Sequence, residues 1–204
     1  MSEEADPLQS LKHQIRRQAE ANRLAQPNKD EASRIICEKF AALAEYVAAE
    51  TVMCYVDMRS EVRTRLFLAT AMGGSKRIVV PYCLDDRLGL FLLESMEELA
   101  VGTFGILEPK LELRAMAHKR VDPGRLDLVM VPGVAFDRRG ARLGHGKGYY
   151  DKLLRHVRPD TPLVALAFEC QLFPEIPTEP HDVFMDKVIT EKAICPSALE
   201  NESF

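Results

Sequence analysis

The chain has 204 residues, of which 47% are hydrophobic and 28% charged, and its formal net charge at pH 7 is −4. This length suits one globular domain with a sizeable core, and the negative net charge argues against a nucleic-acid binder or a protein that covers an anionic membrane. No apolar run approaches the roughly 18 residues of a membrane span. The N-terminus lacks the basic and apolar segments of a secretory signal, so we expect a cytosolic protein.

The first part of the chain predicts two helices. Asp6 followed by Pro7 is typical of a helix start, and apolar residues at helical spacing follow. Lys12 and Arg16 are four residues apart and therefore share one face of this helix. A second helix is predicted over residues 28–49. Its apolar stripe consists of Ile36, Phe40, Leu43 and Val47.

From residue 51 onwards, strands alternate with helices. Residues 51–56 form an apolar run that predicts a strand covered on both faces. A helix that ends at Gly73 follows. Residues 84–94 predict a hairpin, which makes the sheet mixed rather than purely parallel.

The second half of the chain continues this alternation. Residues 126–136 are predicted as the most convincing buried strand, and a glycine-rich loop, a helix, and strands over 162–168 and 186–191 follow. This pattern predicts an α/β sheet that is largely parallel and covered by helices. No linker or repeat interrupts it, so we expect a single domain over residues 1–204 with its core at about 11–192.

The glycine-rich loop "DRRGARLGHGKGYYD" collects positive charge. Between Arg138 and Arg158 there are seven Arg or Lys residues and one acid, a local charge of +6 in a chain whose remainder carries −10. The loop is neither a Walker loop nor a GxGxxG dinucleotide fingerprint. Its glycines nevertheless expose consecutive backbone N–H groups to a phosphate, and Arg142 and Lys147 add full charges. The island therefore indicates an anionic ligand bound at one site.

Several loop residues have a second interpretation. Asp151 is a candidate magnesium ligand, or it caps the following helix. Tyr149 and Tyr150 offer a flat face for a heterocycle, but one of two neighbouring tyrosines at a helix start usually packs into the core. Residues 137–140 have the composition of an ordinary turn.

These motifs together resemble one known family. "VPGVAFDRRGARLGHGKGYYD" resembles the hallmark segment of the 5-formyltetrahydrofolate cyclo-ligase family, also called methenyltetrahydrofolate synthetase. Further matches follow in order: Lys12 and Arg16, then Glu61, then "FGILEP" at 104–109 and "EPHDVFMDKVIT" at 179–190. The resemblance covers about residues 11–190. It implies a Rossmann-like three-layer α/β sandwich.

The resemblance also implies a reaction. It is the ATP- and Mg²⁺-dependent ring closure of 5-formyltetrahydrofolate to 5,10-methenyltetrahydrofolate, ADP and phosphate. The expected partners are therefore these small molecules, with no nucleic acid and no membrane, and a monomer is favoured over an oligomer.

The family assigns roles residue by residue. Arg142 and Lys147 are the expected catalytic pair, which neutralises the transferring phosphoryl group, and Asp151 and Asp182 would hold Mg²⁺. His181 precedes Asp182 and would orient it, whereas His145 receives no proton-transfer role. The ATP-binding residues would be Lys12, Arg16, Arg142, Leu143, Gly144, His145, Gly146, Lys147, Gly148, Tyr149 and Tyr150. The folate-binding residues would be Val56, Glu61, His145, Gly146, Lys147, Gly148 and Tyr149.

Three other functions compete with this one. A non-catalytic folate- or nucleotide-binding relative would lose the charged loop residues, but Arg142, Lys147 and Asp151 are present. A phosphosugar isomerase or CoA transferase on a similar fold would need its own base or nucleophile and no ATP. An RNA-binding module would use the cationic island, but the net acidity of the chain counts against it.

Overall fold

The computed structural model describes residues 6–102 and 105–196. Its helices are α1 (Pro7–Ala25), α2 (Lys29–Ala41), α3 (Ala44–Ala48), α4 (Arg65–Met72), α5 (Leu111–Arg114) and α6 (Tyr149–Leu154). Its strands are β1 (Thr51–Met53), β2 (Arg77–Leu84), β3 (Arg87–Leu93), β4 (Leu99–Val101), β5 (Leu107–Pro109), β6 (Leu128–Val131), β7 (Ala135–Phe136), β8 (Arg142–Leu143), β9 (Leu163–Leu166), β10 (Lys187–Ile189) and β11 (Ile194–Pro196). No described helix is both long and apolar enough to cross a membrane.

The centre of the fold is a seven-stranded sheet in the order β11-β10-β9-β6-β1-β2-β3. The strands from β10 to β2 pair in parallel, and β11 and β3 are antiparallel edges. The predicted hairpin of residues 84–94 is confirmed by the pairing of β2 with β3. The order of the parallel strands reverses between β1 and β6, and open α/β sheets bind ligands outside the carboxyl ends of the strands at such a point.

Both faces of the sheet are buried, so the fold has three layers. Successive residues of a strand point to opposite faces, and Val52 of β1 joins a core with α2 and α4, whereas its neighbour Met53 joins a core with α6. The predicted α/β class, with a largely parallel but mixed sheet, is confirmed.

Helix α1 lies outside this sandwich and packs against a second, two-stranded sheet. Asp6 caps the helix through its side chain, which accepts a hydrogen bond from the Leu8 N–H at 3.0 Å. Ile15 and Ala19 are buried against the β7–β8 ribbon. This packing turns Arg16 towards the loop that follows β8 and Lys12 towards the segment after β9.

The prediction of one helix over residues 28–49 is wrong. The chain leaves the helix after Ala41, and Leu43 is extended (φ −62°, ψ 141°) before α3 begins. Because the helical register restarts at Leu43, Val47 turns outwards and is 68% exposed. Ile36, Phe40 and Leu43 are buried as predicted.

The prediction of one strand over residues 126–136 is also wrong. β6 ends at Val131, and Pro132 has no N–H to continue the ladder. The chain then folds back so tightly that a side chain at Gly133 would come within 2.4 Å of the Phe136 ring. Residues 135–136 therefore pair with β8 in the separate ribbon, which brings the glycine-rich loop back over the carboxyl end of β6.

Candidate active site

A cavity of about 630 Å³ opens at the carboxyl ends of β1, β2 and β6. All of the residues that the resemblance assigns to ATP, folate or magnesium line it: Lys12, Arg16, Val56, Glu61, Arg142, Leu143, Gly144, His145, Gly146, Lys147, Gly148, Tyr149, Tyr150, Asp151 and Asp182. The fold therefore gathers side chains from four separate segments into one place.

A buried turn directs the glycine-rich loop into the cavity. The Asp137 carboxylate is fully buried and accepts hydrogen bonds from the N–H groups of Arg139, Ala141 and Ile176. Gly140 has φ +90°, and a side chain there would lie 2.1 Å from the Met185 carbonyl oxygen. Residues 137–140 thus form the predicted ordinary turn and do not belong to the ligand site.

Arg16 shapes the loop from α1. Its Nε donates to the Gly144 carbonyl oxygen at 2.8 Å. A side chain at Gly146, where φ is +91°, would meet the same guanidinium at 3.6 Å. Burial lowers the pKa of Arg16 from its ordinary value, but a guanidinium remains charged at neutral pH. Arg16 thus holds the loop in place and keeps a positive charge beside it.

Arg142 is the most deeply buried cation of the site. Its side chain is 3% exposed, and it donates to Asp151 Oδ1 at 2.5 Å. Its guanidinium also lies 5.8 Å from the centroid of the Tyr150 ring. Within the described part of the chain, its Nε is the one buried side-chain nitrogen or oxygen without a hydrogen-bond partner. A buried N–H without a partner is rare in proteins, so it marks Arg142 as a candidate functional residue.

Lys12 is buried between two acids of the segment after β9. Its Nζ lies 2.6 Å from Glu179 Oε2 and 3.4 Å from Asp182 Oδ2. The Glu179 N–H also donates to Asp182 Oδ2 at 2.8 Å. These contacts join α1 to the "EPHD" segment at the cationic end of the cavity.

The two candidate magnesium ligands are oxygen donors, as Mg²⁺ requires. Asp151 uses one carboxylate oxygen on Arg142, and Asp182 uses one on Lys12. In the described ranges, no three His, Cys, Asp or Glu side chains come together as a metal site. The residues fit a cation that takes one or two carboxylate oxygens and fills its other positions with phosphate oxygens and water.

Glu61 lies at the base of the cavity, in the turn after β1. It is 7% exposed, and its Oε2 accepts a hydrogen bond from the Met58 N–H at 3.0 Å. Burial raises the pKa of Glu61 to about 7, although the Met58 hydrogen bond and the positive charge of Arg23 act in the opposite direction. A buried carboxyl that this turn holds in place suits a ligand with N–H donors. Val56 lines the cavity beside it and is also buried.

The two tyrosines serve different purposes, although both line the cavity. The Tyr149 hydroxyl donates to the Asp85 carbonyl oxygen at 3.1 Å, and Lys147 Nζ lies 5.9 Å from the centroid of its ring. Tyr150 packs against the core that contains α6, and its burial keeps the pKa of the phenol well above the ordinary value. One tyrosine therefore packs into the core, as predicted.

The alternative interpretation of Asp151 as a helix cap is wrong. The N-cap of α6 is Gly148, and its first turn has no side-chain cap. Asp151 pairs with Arg142 instead.

His145 and His181 both line the cavity, and each has a carboxylate nearby. Burial and the positive charge of Arg23 lower the pKa of His145, and its Nδ1 lies 3.8 Å from Glu20 Oε1. His181 Nε2 lies 3.8 Å from Asp182 Oδ1.

Part of the cationic island lies at the cavity, and it includes the two cations that were predicted to bind phosphate. Of its seven cations, Arg142 and Lys147 line the cavity. The other five do not line it and contact protein groups: Arg138 with Glu169, Arg139 with Asp137, Lys152 with Asp86, Arg155 with the His181 carbonyl and Arg158 with Asp127. Lys12 and Arg16 of α1 supply the additional charges at the cavity.

Sequence reasoning did not single out several other residues that line the cavity, among them Arg59, Tyr82, Glu108 and Glu179. Glu108 and Glu179 stand inside the quoted motifs, so the motifs themselves were the available signal. Phe104 of the "FGILEP" motif lies outside the described residues.

Comparison with known proteins agrees with this geometry. The sequence model of the 5-formyltetrahydrofolate cyclo-ligase family matches residues 8–191. The chain belongs to that family.

Two members of the family illustrate the similarity. The 5-formyltetrahydrofolate cyclo-ligase of Mus musculus is 31% identical over 193 residues, which cover 89% of this chain and 90% of that protein. That of Mycolicibacterium smegmatis is 34% identical over 151 residues, 72% of this chain and 76% of that protein.

Solved structures share the fold. The Aquifex aeolicus 5,10-methenyltetrahydrofolate synthetase matches with a TM-score of 0.79 at 30% identity, and the match covers 92% of this chain and 93% of that chain. The synthetase of Mycoplasma pneumoniae has a TM-score of 0.70 at 23% identity, covering 88% of this chain and 98% of that chain.

Proposed function

We propose that this protein catalyses the ATP-dependent cyclisation of 5-formyltetrahydrofolate to 5,10-methenyltetrahydrofolate, with release of ADP and phosphate. One observation carries the proposal: the buried carboxyl of Glu61 and the cationic glycine-rich loop face the same cavity of about 630 Å³. A folate anchored at one and a nucleotide held at the other would be neighbours.

The chemistry explains why both substrates must share the cavity. A formamide is a poor electrophile, and hydroxide is a poor leaving group near neutral pH. Transfer of the γ-phosphoryl group to the formyl oxygen converts that oxygen into part of a good leaving group. N10 of the folate then attacks the formyl carbon, the carbon–oxygen bond breaks with its electron pair going to phosphate, and the N10 proton is lost. The protein has to align the reactants and stabilise phosphoryl charge.

Arg142 and Lys147 stabilise the transferring phosphoryl group in this proposal. The position of Arg142 at the wall of the cavity and its burial support this role, since a donor in a water-poor site acts more strongly on developing charge than one in water. The glycine-rich loop and Lys12 bind the phosphates, and Arg16 keeps the loop in position through its bond to Gly144.

Glu61 anchors the folate. Its carboxylate accepts hydrogen bonds from the 2-amino group and the neighbouring ring N–H of the pterin, for which a bidentate acceptor is well shaped. Val56 supplies an apolar contact beside it.

Asp151 and Asp182 would hold Mg²⁺ together with the nucleotide. The cation, when bound, supplies charge neutralisation on the phosphate oxygens. Arg142 and Lys12 orient these two carboxylates through the ion pairs described above. We also propose that the enzyme acts as a monomer and that it is located in the cytosol.

The direct test is an absorbance assay. Purified protein with Mg²⁺, ATP and fresh 5-formyltetrahydrofolate is expected to generate the strongly absorbing methenyl product, and the same mixture without ATP is not. If absorbance stays flat with ATP while both substrates bind, the chain is a non-catalytic relative of the family, and the proposal fails.

Lys147→Ala is expected to lower kcat at least tenfold, or by ~1.4 kcal/mol in activation free energy. Lys147 is exposed and lines the cavity, so the loss of its charge should affect the reaction more than the fold. Steady-state kinetics measure the effect. Lys192→Ala removes an exposed lysine outside the cavity and serves as the matched control. An unchanged rate for Lys147→Ala would remove this residue from phosphoryl transfer.

A further inference from the structure

Arg23 of α1 is a buried cation that the proposed function does not use. It is 4% exposed and is not one of the residues that line the cavity. In the described part of the chain, no carboxylate pairs with its guanidinium, which has hydrogen bonds to Ser60 and Gly133 instead. Burial of an arginine without an ion pair is costly, so the position of these two partners is informative.

Arg23 joins the turn that carries Glu61 to the turn that follows β6. Its Nε donates to Ser60 Oγ at 2.9 Å, and its Nη1 donates to the Gly133 carbonyl oxygen at 3.5 Å. Ser60 directly precedes Glu61 in the chain. Gly133 lines the cavity, and its carbonyl oxygen also accepts from Gln171 Nε2 at 3.0 Å. One guanidinium therefore connects the folate side of the cavity to the start of the β7–β8 ribbon, which leads into the glycine-rich loop.

The tip of the Glu61 turn has an uncommon backbone conformation. Arg59 has φ +53°, in the left-handed region that residues other than glycine rarely adopt. Such a conformation persists where the surrounding structure holds it. The Glu61 N–H donates to the Met58 carbonyl oxygen at 3.1 Å, which closes the turn on itself. Among the described residues, Arg23 is the one side chain from another segment that hydrogen-bonds to residues 58–61.

The base of this turn is held independently of Arg23. The Asp57 carboxylate accepts hydrogen bonds from the N–H groups of Thr64 and Arg65 at 2.9 and 3.1 Å. Loss of Arg23 should therefore loosen the tip of the turn without unfolding the segment.

The charge of Arg23 also acts on the carboxyl of Glu61. Burial raises the pKa of Glu61 to about 7, and the positive charge of Arg23 opposes this rise. The other titratable groups that interact electrostatically with this carboxyl come from its own segment and from α6: Tyr55, Asp57, Arg59 and Tyr150. Because the N–H donors of a pterin favour the carboxylate, a cation behind the turn favours the state that binds.

We propose that Arg23 is a positioning residue for the folate, which holds the turn that carries Glu61 in place against the turn after β6. This inference rests on the proposed function, because it takes Glu61 as the acceptor of the folate. Arg23 acts through Glu61 and touches neither substrate.

Calorimetric titrations with 5-formyltetrahydrofolate and with ATP test the proposal without requiring turnover. Arg23→Met keeps an unbranched side chain and removes the hydrogen-bond donors and the charge. The Kd for the folate at neutral pH is expected to rise about tenfold, while the Kd for ATP stays within about twofold. Arg17→Met replaces an exposed arginine of the same helix that does not line the cavity, and it should leave both values unchanged.

A pH profile of folate binding separates positioning from general destabilisation. In Arg23→Met the carboxyl of Glu61 loses a neighbouring cation, so the increase of folate affinity should move to higher pH. Arg23→Lys keeps the charge and should return the profile to that of the wild-type protein. Ser60→Ala removes the hydrogen bond but keeps the charge. It should weaken folate binding without moving the profile, and it provides the test if Arg23→Met does not fold.

Other outcomes would overturn the proposal. Equal losses of folate and ATP affinity in Arg23→Met would show that Arg23 supports the fold in general. An unchanged Kd for the folate in Arg23→Met or in Ser60→Ala would remove the positioning role. A wild-type protein that binds folate without cyclising it would refute the proposed function alone, whereas an active enzyme whose Arg23 variants bind folate normally would refute this inference alone.

Discussion

Arg142→Ala is expected to lower kcat/KM for cyclisation at least ~100-fold, the loss typical when one preorganised donor to developing charge is removed. The guanidinium is 3% exposed, contacts Asp151 at 2.5 Å and has an Nε without a partner inside the described part of the chain. The substitution therefore removes a donor from the cavity and leaves the Asp151 carboxylate without its cation.

Steady-state kinetics with both substrates measure this effect, and thermal unfolding checks that the variant is folded. Arg138→Ala is the matched control, because Arg138 belongs to the same charged segment but is 63% exposed and pairs with Glu169. A surface pair of this kind contributes about 0–1 kcal/mol to stability. The Arg138→Ala variant should therefore stay folded and keep the activity of the wild-type protein. Equal activity of the two variants would contradict the phosphoryl role of Arg142.

Glu61→Gln is expected to weaken folate binding by about 30–100-fold, since a charge-assisted hydrogen bond contributes ~1.5–3 kcal/mol and the new amide N–H₂ would face pterin donors. ATP affinity should stay within about twofold, because the glycine-rich loop and α1 bind the nucleotide. Glu97→Gln, an exposed acid, is the control. Equal loss of folate and ATP affinity would refute this division of roles.

The pKa of Glu61 also predicts how folate binding depends on pH. Burial raises it from the ordinary 4.5 to about 7, so part of the carboxyl is protonated near neutral pH in the free protein. The N–H donors of the pterin favour the carboxylate. Folate affinity should therefore increase as the pH rises from about 6 to 8, with release of a proton. Calorimetry in two buffers of different ionisation enthalpy detects that proton, and Glu61→Gln should abolish the release.

A rising pH has the opposite effect on the stability of the free protein, again through the Glu61 carboxyl. Its pKa is higher in the folded state than in the unfolded state, so between pH 4.5 and about 7 the folded protein binds more protons. The free energy of unfolding of the free protein should therefore fall as the pH rises through this window, by on the order of 3 kcal/mol from this group. In Glu61→Gln this part of the pH dependence should be absent.

The sequence predicted the layers of the fold well, because buried strands carry β-formers on both faces and the helices between them have clear ends. The errors arose where a local break interrupts a continuous apolar pattern. Leu43 stays apolar while leaving the helix, and Val134 to Phe136 stay apolar while joining a different sheet. Periodicity records burial, and burial alone does not reveal which sheet or helix a residue belongs to.

For the site, motif resemblance found residues that periodicity could not. Glu61 looks like an exposed acid in "MRSEVRT", yet the turn after β1 buries it at the base of the cavity. Counting charges could not show which of the seven cations between Arg138 and Arg158 reach the cavity: two line it, and the other five contact protein groups. Those pairings join segments far apart in the chain, so no local pattern could predict them. Glu108 stands inside the "FGILEP" motif, but its hydrogen bonds from the Cys83 N–H and from Arg114 could not be predicted, because these partners lie on other elements.

The mechanism depends on one event: the nucleotide's terminal phosphorus, held at the glycine-rich loop, bonds to the formyl oxygen of a folate held at Glu61. The most direct measurement is isotope transfer with 5-formyltetrahydrofolate that carries oxygen-18 in its formyl group. Mass spectrometry of the released phosphate should find one labelled oxygen per methenyl product formed. Unlabelled phosphate, with the label in water, would show that the formyl oxygen never bonds to phosphorus, and would contradict the shared-cavity mechanism.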